Sequence, residues 1–113
     1  MKRGEVWQVD LDPTTGAEIK KVIPCIIVNR DTLARLPLRI IVPVTAWDPR
    51  FDMAPWHVPI DATAENGLIK KSSADTFQVR SISKKRLVRK LGEVSHKVMI
   101  EINKGLYVSL ALD

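Results

Sequence analysis

Cysteine is nearly absent. Cys25 is the only one in 113 residues, so no internal disulfide can form. It lies in an apolar run with no histidine near it in sequence, and reads as a small core hydrophobe rather than a nucleophile. Histidine is almost as scarce. His57 and His96 stand far apart, and no cysteine or acidic residue sits at ligand spacing, so the sequence offers no metal constellation. A double-histidine ribonuclease chemistry is likewise unsupported. His57 follows Trp56 in a strand pattern, where a packed structural histidine is the stronger reading. His96 reads as a surface residue in the first turn of a helix. The five glycines are scattered as turn residues and build no phosphate-cradling loop. No apolar run approaches the roughly 18 residues that a membrane-spanning helix needs. The opening MKRGE leads into strand pattern without an apolar export region, so the cytoplasm is the expected location. Repeats, low-complexity segments and linkers are also missing, which suits one domain over residues 1–113.

What is present is enough for a folded core. Hydrophobic residues make up 45% and charged residues 27%, a balance of neither a disordered chain nor a membrane protein. The net charge is +5 and the sequence pI about 9.6. That excess fits a polyanionic partner, nucleic acid or an acidic protein segment, and fits plain solubility equally well.

The first quarter carries the clearest pattern. Trp7, Val9 and Leu11 alternate with Gln8 and Asp10, the period of a half-buried strand. Residues 22–28, VIPCIIV, are almost continuously apolar and read as a strand buried on both faces. The loop between holds DPTTG and the basic pair Lys20-Lys21. Residues 38–45, LRIIVPVT, form a third apolar run, with Pro43 expected at an edge or bulge because it cannot donate to a ladder. Residues 46–55 read as an irregular loop and 56–60 as a short strand. Asn66-Gly67 is a hairpin signal, and strand pieces are expected at 68–70 and 76–82. Ser83 is placed to cap a short basic helix over 84–91, closed by Gly92. Ser95 is placed to cap a final helix from His96 to Leu110, with Val98, Met99, Ile102, Leu106 and Leu110 on one apolar stripe. The fold class is mainly β or α+β: a small, strongly curved antiparallel sheet or barrel covered by a C-terminal helix.

The cations are the main chemical feature. Lys20, Lys21, Arg30, Arg35, Arg39, Lys70, Lys71 and Arg80 are dispersed in sequence but able to converge on one sheet face. The second basic run, Lys84 to Lys90, is most simply a solvated helix face. Thr45 ends a strand where its hydroxyl can point at a loop-lined pocket, or serve only as a β-branched strand residue. Trp47 and Trp56 flank a loop and suit either base stacking or the core.

In RGEVWQVDLDPTTGAEIKK, IIVPVT, NGLIKKS, QVRSISKKRLVRKLGEV and the terminal amphipathic helix, in this order and spacing, the chain resembles the MazF/PemK (Kid) family of toxin endoribonucleases. The resemblance implies an SH3-like barrel of five to seven antiparallel strands, a homodimer, and an acidic antitoxin as partner. It implies cofactor-free, metal-independent cleavage of single-stranded RNA, by attack of a ribose 2′-hydroxyl on the adjacent phosphate. Thr45 matches the family's hydroxyl at the end of the third strand, and Ser72 the serine after the hairpin's basic pair. Lys21 is the loop cation assigned to catalysis beside them. Thr14, Glu18, Lys20, Lys70, Arg80 and Trp47 are assigned to RNA. Two positions depart from the pattern. Ala17 stands where some members have histidine, and Ile23 where the family commonly carries its catalytic arginine. A positioned cation stabilises the charge of phosphoryl transfer, and losing one such donor typically costs about 2.7–4 kcal/mol. Either another cation acts here, or the chain is a catalytically weak or inactive module that binds RNA or an antitoxin.

Overall fold

The computed structural model describes residues 1–11 and 22–113. Thr14, Ala17, Glu18, Lys20 and Lys21 lie outside the described residues. Seven strands form one antiparallel sheet: β1 (Glu5–Asp10), β2 (Val22–Ile27), β3 (Leu38–Ala46), β4 (His57–Ile60), β5 (Ser72–Asp75), β6 (Arg80–Ser83) and β7 (Leu87–Glu93), followed by helix α1 (His96–Leu110). The order is β4-β5-β3-β2-β1-β7, with β6 also paired to β3.

β3 is the hub because it is long enough to change partners. Its first half pairs β6 from Leu38↔Ser83 to Ile41↔Arg80, and its last residues pair β5 from Val44↔Ala74 to Ala46↔Ser72. On its other side it pairs β2 through Cys25↔Pro43. Pro43 falls in the gap between the β6 and β5 ladders, where its missing N–H leaves no ladder bond unmade.

β2 is buried on both faces only over Cys25–Ile27; Val22 at its start is exposed and Ile23 and Pro24 are half-buried. Ile26 belongs to a core cluster with Val6, Val42, Val44, Val58 and Ile60, which α1 covers with Met99 and Ile102. Cys25 and Ile27 belong to a second cluster with Val9, Ile41, Ile82 and Leu87. Completely burying one such aliphatic side chain contributes about 1.5–3 kcal/mol, so the two clusters hold the sheet in its curve.

α1 has the expected bounds. The Ser95 side chain accepts from the Val98 amide at 3.2 Å. The helix ends at Ala111, which is left-handed at φ 51. The buried face differs from the expected stripe in two places. Leu110 is 51% exposed. Gly105 is buried instead, because its bare backbone passes Thr76: a Cβ there would lie 2.8 Å from the Thr76 side chain.

Three local expectations are corrected. The run 84–91 is not a basic helix: Lys84–Arg86 make one 3-10 turn and the chain continues as β7. The free edge of β1 explains this, since β7 satisfies backbone groups that a helix would leave unpaired. Residues 68–70 form no strand, and 76–82 are interrupted by a 3-10 turn, Thr76–Gln78, capped by the Asp75 carboxylate. Asn66-Gly67 closes no tight hairpin, because β4 and β5 meet at Ile60↔Ser72 across the whole loop 61–71. Gly67 does adopt a positive φ of 70. The buried Asn66 side chain holds the loop, accepting from the Thr63 and Leu68 amides and donating to the Asp61 carbonyl.

Candidate functional site

The last residues of β3 are where the sequence-assigned hydroxyls gather. Directly opposed residues in an antiparallel ladder share a face, and neighbours alternate. Thr45 opposes Ser73, and Ala46 opposes Ser72. Thr45 and Ser72 therefore point to opposite faces of the sheet, and the site has two sides.

On the first side Thr45 is exposed. Ser73 beside it is fully buried, with its Oγ 2.8 Å from His57 Nδ1. The His57 ring is stacked on Phe51 at 3.6 Å between centroids. His57 is thus packed and hydrogen-bonded, as a structural histidine should be. Next along the same face come Trp47 and Lys71: the Trp47 amide donates to the Lys71 carbonyl at 3.1 Å, and Lys71 Nζ lies 5.2 Å from the Trp47 ring centroid. This cation–π contact is worth about 0.5–1 kcal/mol at an exposed position and holds the ammonium near the strand end. Arg80 is exposed and opposes Ile41, four residues from Thr45 on the same face. At about 3.3 Å per residue that is roughly 13 Å along the strand, too far for Arg80 and Thr45 to grip one phosphate directly. Carrying the Cys25↔Pro43 register two residues further sets Ile23 opposite Thr45. Ile23 is half-buried against the Val9–Cys25 cluster. Burial pushes the Cys25 thiol up to about 12, partly countered by Arg80, so this cysteine is no nucleophile.

On the second side is a cleft of about 310 Å³. Pro24, Ala46, Leu68, Ile69 and Leu91 give it apolar walls, and Gln8, Lys70 and Arg89 bring polar groups to it. Ser72 is buried here, its Oγ donating to the Lys70 carbonyl at 2.9 Å. That bond ties the loop rather than presenting a free hydroxyl. Among the described residues, no acidic side chain lines the cleft. A larger cleft, of about 660 Å³, lies between loop 61–71 and the start of α1, but Asp61, Glu65, Glu93 and Glu101 line it and repel a polyanion.

Among the described residues, three other cations are engaged elsewhere. Arg39 turns inward, its guanidinium donating to the Leu36 and Leu38 carbonyls at 2.8 and 2.7 Å. Arg86 donates to the Asp10 carbonyl, and Lys90 bridges Glu5 and Glu93. Two residues at the site escaped the sequence reading, Gln8 and Arg89, while Lys71 is one of the cations expected to converge. The strand alternation of residues 7–11 does put Gln8 opposite in sense to Val9. Arg89 had no usable signal, because its strand carries register shifts. No group of acidic, histidine or cysteine side chains among the described residues is arranged to hold a metal ion. No helix among them is long and apolar enough to cross a membrane.

A family model described as PemK-like, MazF-like toxin of type II toxin–antitoxin system matches residues 2–110. Endoribonuclease MazF9 of Mycobacterium tuberculosis is 35% identical, with 99% of this chain and 98% of that protein covered. Endoribonuclease EndoA of Bacillus subtilis is 34% identical, with 99% and 96% covered. Among solved structures, a mycobacterial endoribonuclease in complex with its cognate antitoxin superposes with a TM-score of 0.79 at 23% identity, covering 100% of this chain and 97% of that one. A MazE–MazF crystal structure from Deinococcus radiodurans gives 0.81 at 19% identity, covering 100% and 97%. The structural matches establish the fold, a mostly antiparallel sheet with one C-terminal helix.

Proposed function

The chain belongs to the PemK-like, MazF-like toxin family of type II toxin–antitoxin systems, and on that premise we propose that it is an endoribonuclease acting on single-stranded RNA in the cytoplasm. The reaction is intramolecular: a ribose 2′-hydroxyl attacks the adjacent phosphorus, the bond to the 5′-oxygen breaks, and a 2′,3′-cyclic phosphate and a free 5′-hydroxyl result. The observation that carries the reading is the end of β3, where an exposed Thr45 stands beside the Trp47–Lys71 pair on one sheet face. Thr45 donates a hydrogen bond to a non-bridging phosphate oxygen, which gains charge in the transition state. Lys21, which precedes β2 in sequence, and Lys71 supply the cations that Ile23 cannot. Arg80 holds a neighbouring phosphate, and Lys20 and Lys70 add to the positive field along the strand. Thr14 and Glu18 are further contacts to the RNA, and Trp47 stacks on a base. Ser72 is a positioning residue, acting through its bond to the Lys70 carbonyl. The partner is an antitoxin whose acidic segment competes for the same cations, and the active form is a homodimer of this one-domain chain.

The test is cleavage of a single-stranded RNA in EDTA, with 2′,3′-cyclic phosphate ends as the readout. Thr45→Ala is expected to lower kcat about 10²–10³-fold, the usual cost of one oxyanion donor. Failure of the parent protein to yield any cyclic phosphate at high enzyme concentration refutes the reading. The second reading, a non-cutting module that binds RNA or antitoxin, is favoured by one observation: the half-buried, uncharged Ile23 at the β2 position that the extended register sets opposite Thr45. Salt-dependent RNA binding without cleavage would support it.

A further inference from the structure

The cleft on the Ser72 side is a different kind of site from the Thr45 face. It is small, about 310 Å³, at the lower end of what small-molecule pockets occupy. Its walls are apolar side chains, and its polar groups are few and placed on one rung of the sheet.

That rung is built by two irregularities. β1 and β7 pair as Val6↔Gly92, Trp7↔Lys90, Gln8↔Arg89 and Val9↔Leu87, with register shifts on either side of the Trp7–Gln8 pair. Counting straight on from Val9↔Leu87, Gln8 would oppose Val88. The shift puts Arg89 there instead and leaves Val88 exposed. Bulges re-aim side chains in this way, and they recur beside functional sites. The result sets a primary amide and a guanidinium fork side by side over an apolar cleft. Neither Arg89 nor Lys70 forms an ion pair among the described residues. The opposite wall is rigid: Gly67 and Gly92 let loop 61–71 press on β7, with the Glu93 amide donating to the Glu65 carbonyl at 2.8 Å.

Resting on the RNA-cleaving reading, we propose that this cleft takes one unstacked nucleobase of the bound strand, guanine, and so sets sequence preference at one position. The apolar walls from Pro24, Leu68, Ile69 and Leu91 cover the base faces. The Arg89 fork pairs with the O6 and N7 acceptors, the commonest specific contact to guanine, and the Gln8 amide takes a further edge group. Lys70 holds the attached phosphate. The two-sided end of β3 explains the geometry: one nucleotide turns into the cleft while its neighbour lies across Thr45. An acidic peptide fits less well, because a pocket of this size admits about one side chain.

The test separates this proposal from the cleavage reading. The full chain, with labelled Leu and Ile methyl groups, is titrated with each of the four nucleoside monophosphates and with inorganic phosphate. Saturable shifts are expected at Leu68, Ile69 and Leu91, with guanosine monophosphate at least about fivefold tighter than the cytidine form, the low end for one bidentate pair. Arg89→Lys keeps the charge but loses the fork, so it is expected to abolish that preference while nucleotides still bind. In cleaved RNA pools, Arg89→Leu is expected to erase guanine enrichment at one position near the cut. Equal affinity for all four nucleotides, the same shifts from phosphate alone, retained preference in Arg89→Lys, or tighter occupancy by an acidic peptide each overturn the proposal. Guanosine-selective shifts in a protein that cuts no RNA uphold the pocket and reject the enzyme. Cleavage without any such shifts does the reverse.

Discussion

Replacing Gly92 with alanine tests the clamp that shapes the cleft. Gly92 sits in β7 opposite Val6. A Cβ built there lies 2.1 Å from the Glu65 carbonyl oxygen and 2.7 Å from the Asn66 carbonyl carbon. Ordinary contact begins near 3.4 Å, so the loop must retreat by roughly 1.3 Å, the difference from 2.1 Å. Both obstacles are backbone, so no side chain can swing aside. The loop resists, because Asn66 ties it at three points and Gly67 packs so closely on β7 that a Cβ built there would lie 2.2 Å from the Leu91 carbonyl oxygen. Overpacking of this kind costs about 1–3 kcal/mol. Retreat also stretches the bond from the Glu93 amide to the Glu65 carbonyl, worth about 0.5–1.5 kcal/mol. Together they give about 2–4 kcal/mol. For a domain of this size each 1 kcal/mol lowers Tm by about 4–8 °C, so a drop of at least about 8 °C is expected. Thermal melts by circular dichroism at fixed protein concentration measure it, and native-state hydrogen exchange at the Glu93 amide should accelerate in step. A Gly92→Ala protein that melts with the parent would show that the loop yields freely. The clamp, and the rigidity claimed for the cleft, would then be wrong.

Other outcomes follow from the same structure. Ile23→Arg restores a cation opposite Thr45 and is expected to raise the RNA-cleavage rate, by up to about 10²–10³-fold; an unchanged rate at equal stability shows that another cation already fills that role. Asn66→Ala strips three bonds from a buried loop and should lower stability by about 2–4 kcal/mol in urea unfolding, since each orphaned buried group costs about 1–3. Burial raises the Glu5 carboxyl, but the Trp7 indole, the Lys2 backbone and Lys90 outweigh it and hold the group at about 2, below its ordinary 4.5. Its contribution, up to roughly 3 kcal/mol, is therefore complete above pH 4.5 and lost as pH falls toward 2, and Glu5→Gln should flatten stability across that window. Cys25 in the folded protein should resist a thiol reagent at pH 8 and react only on unfolding, because burial holds it protonated.

Much of the fold was legible because it is locally encoded. Ser95 and the following three- and four-residue apolar spacing determine where α1 starts and which side it buries. The alternation around Trp7–Leu11 and the β-branched run of residues 22–28 determine two strands, and the second is buried on both faces from Cys25 onward. The motif order determined the family. The misreadings have one cause. Residues 84–91 have local helical appeal, but the open edge of β1 recruits them as a strand. Leu110 fits the helical period, yet the sheet does not extend beneath it, and Gly105 is buried because Thr76 happens to cross there.

The site divides along the same line. Sequence spacing placed Thr45 at the end of a strand, but it set Ser72 between two strand pieces, whereas Ser72 begins β5. Only the tertiary structure decided that the two hydroxyls face opposite ways, that Lys71 rather than Lys70 shares the Thr45 face, and that Arg89 joins Gln8. Alternation within a strand is a property of one segment and can be read from it. Register between strands is set by contacts distant in sequence, and a single-residue shift moves every side chain to the other face.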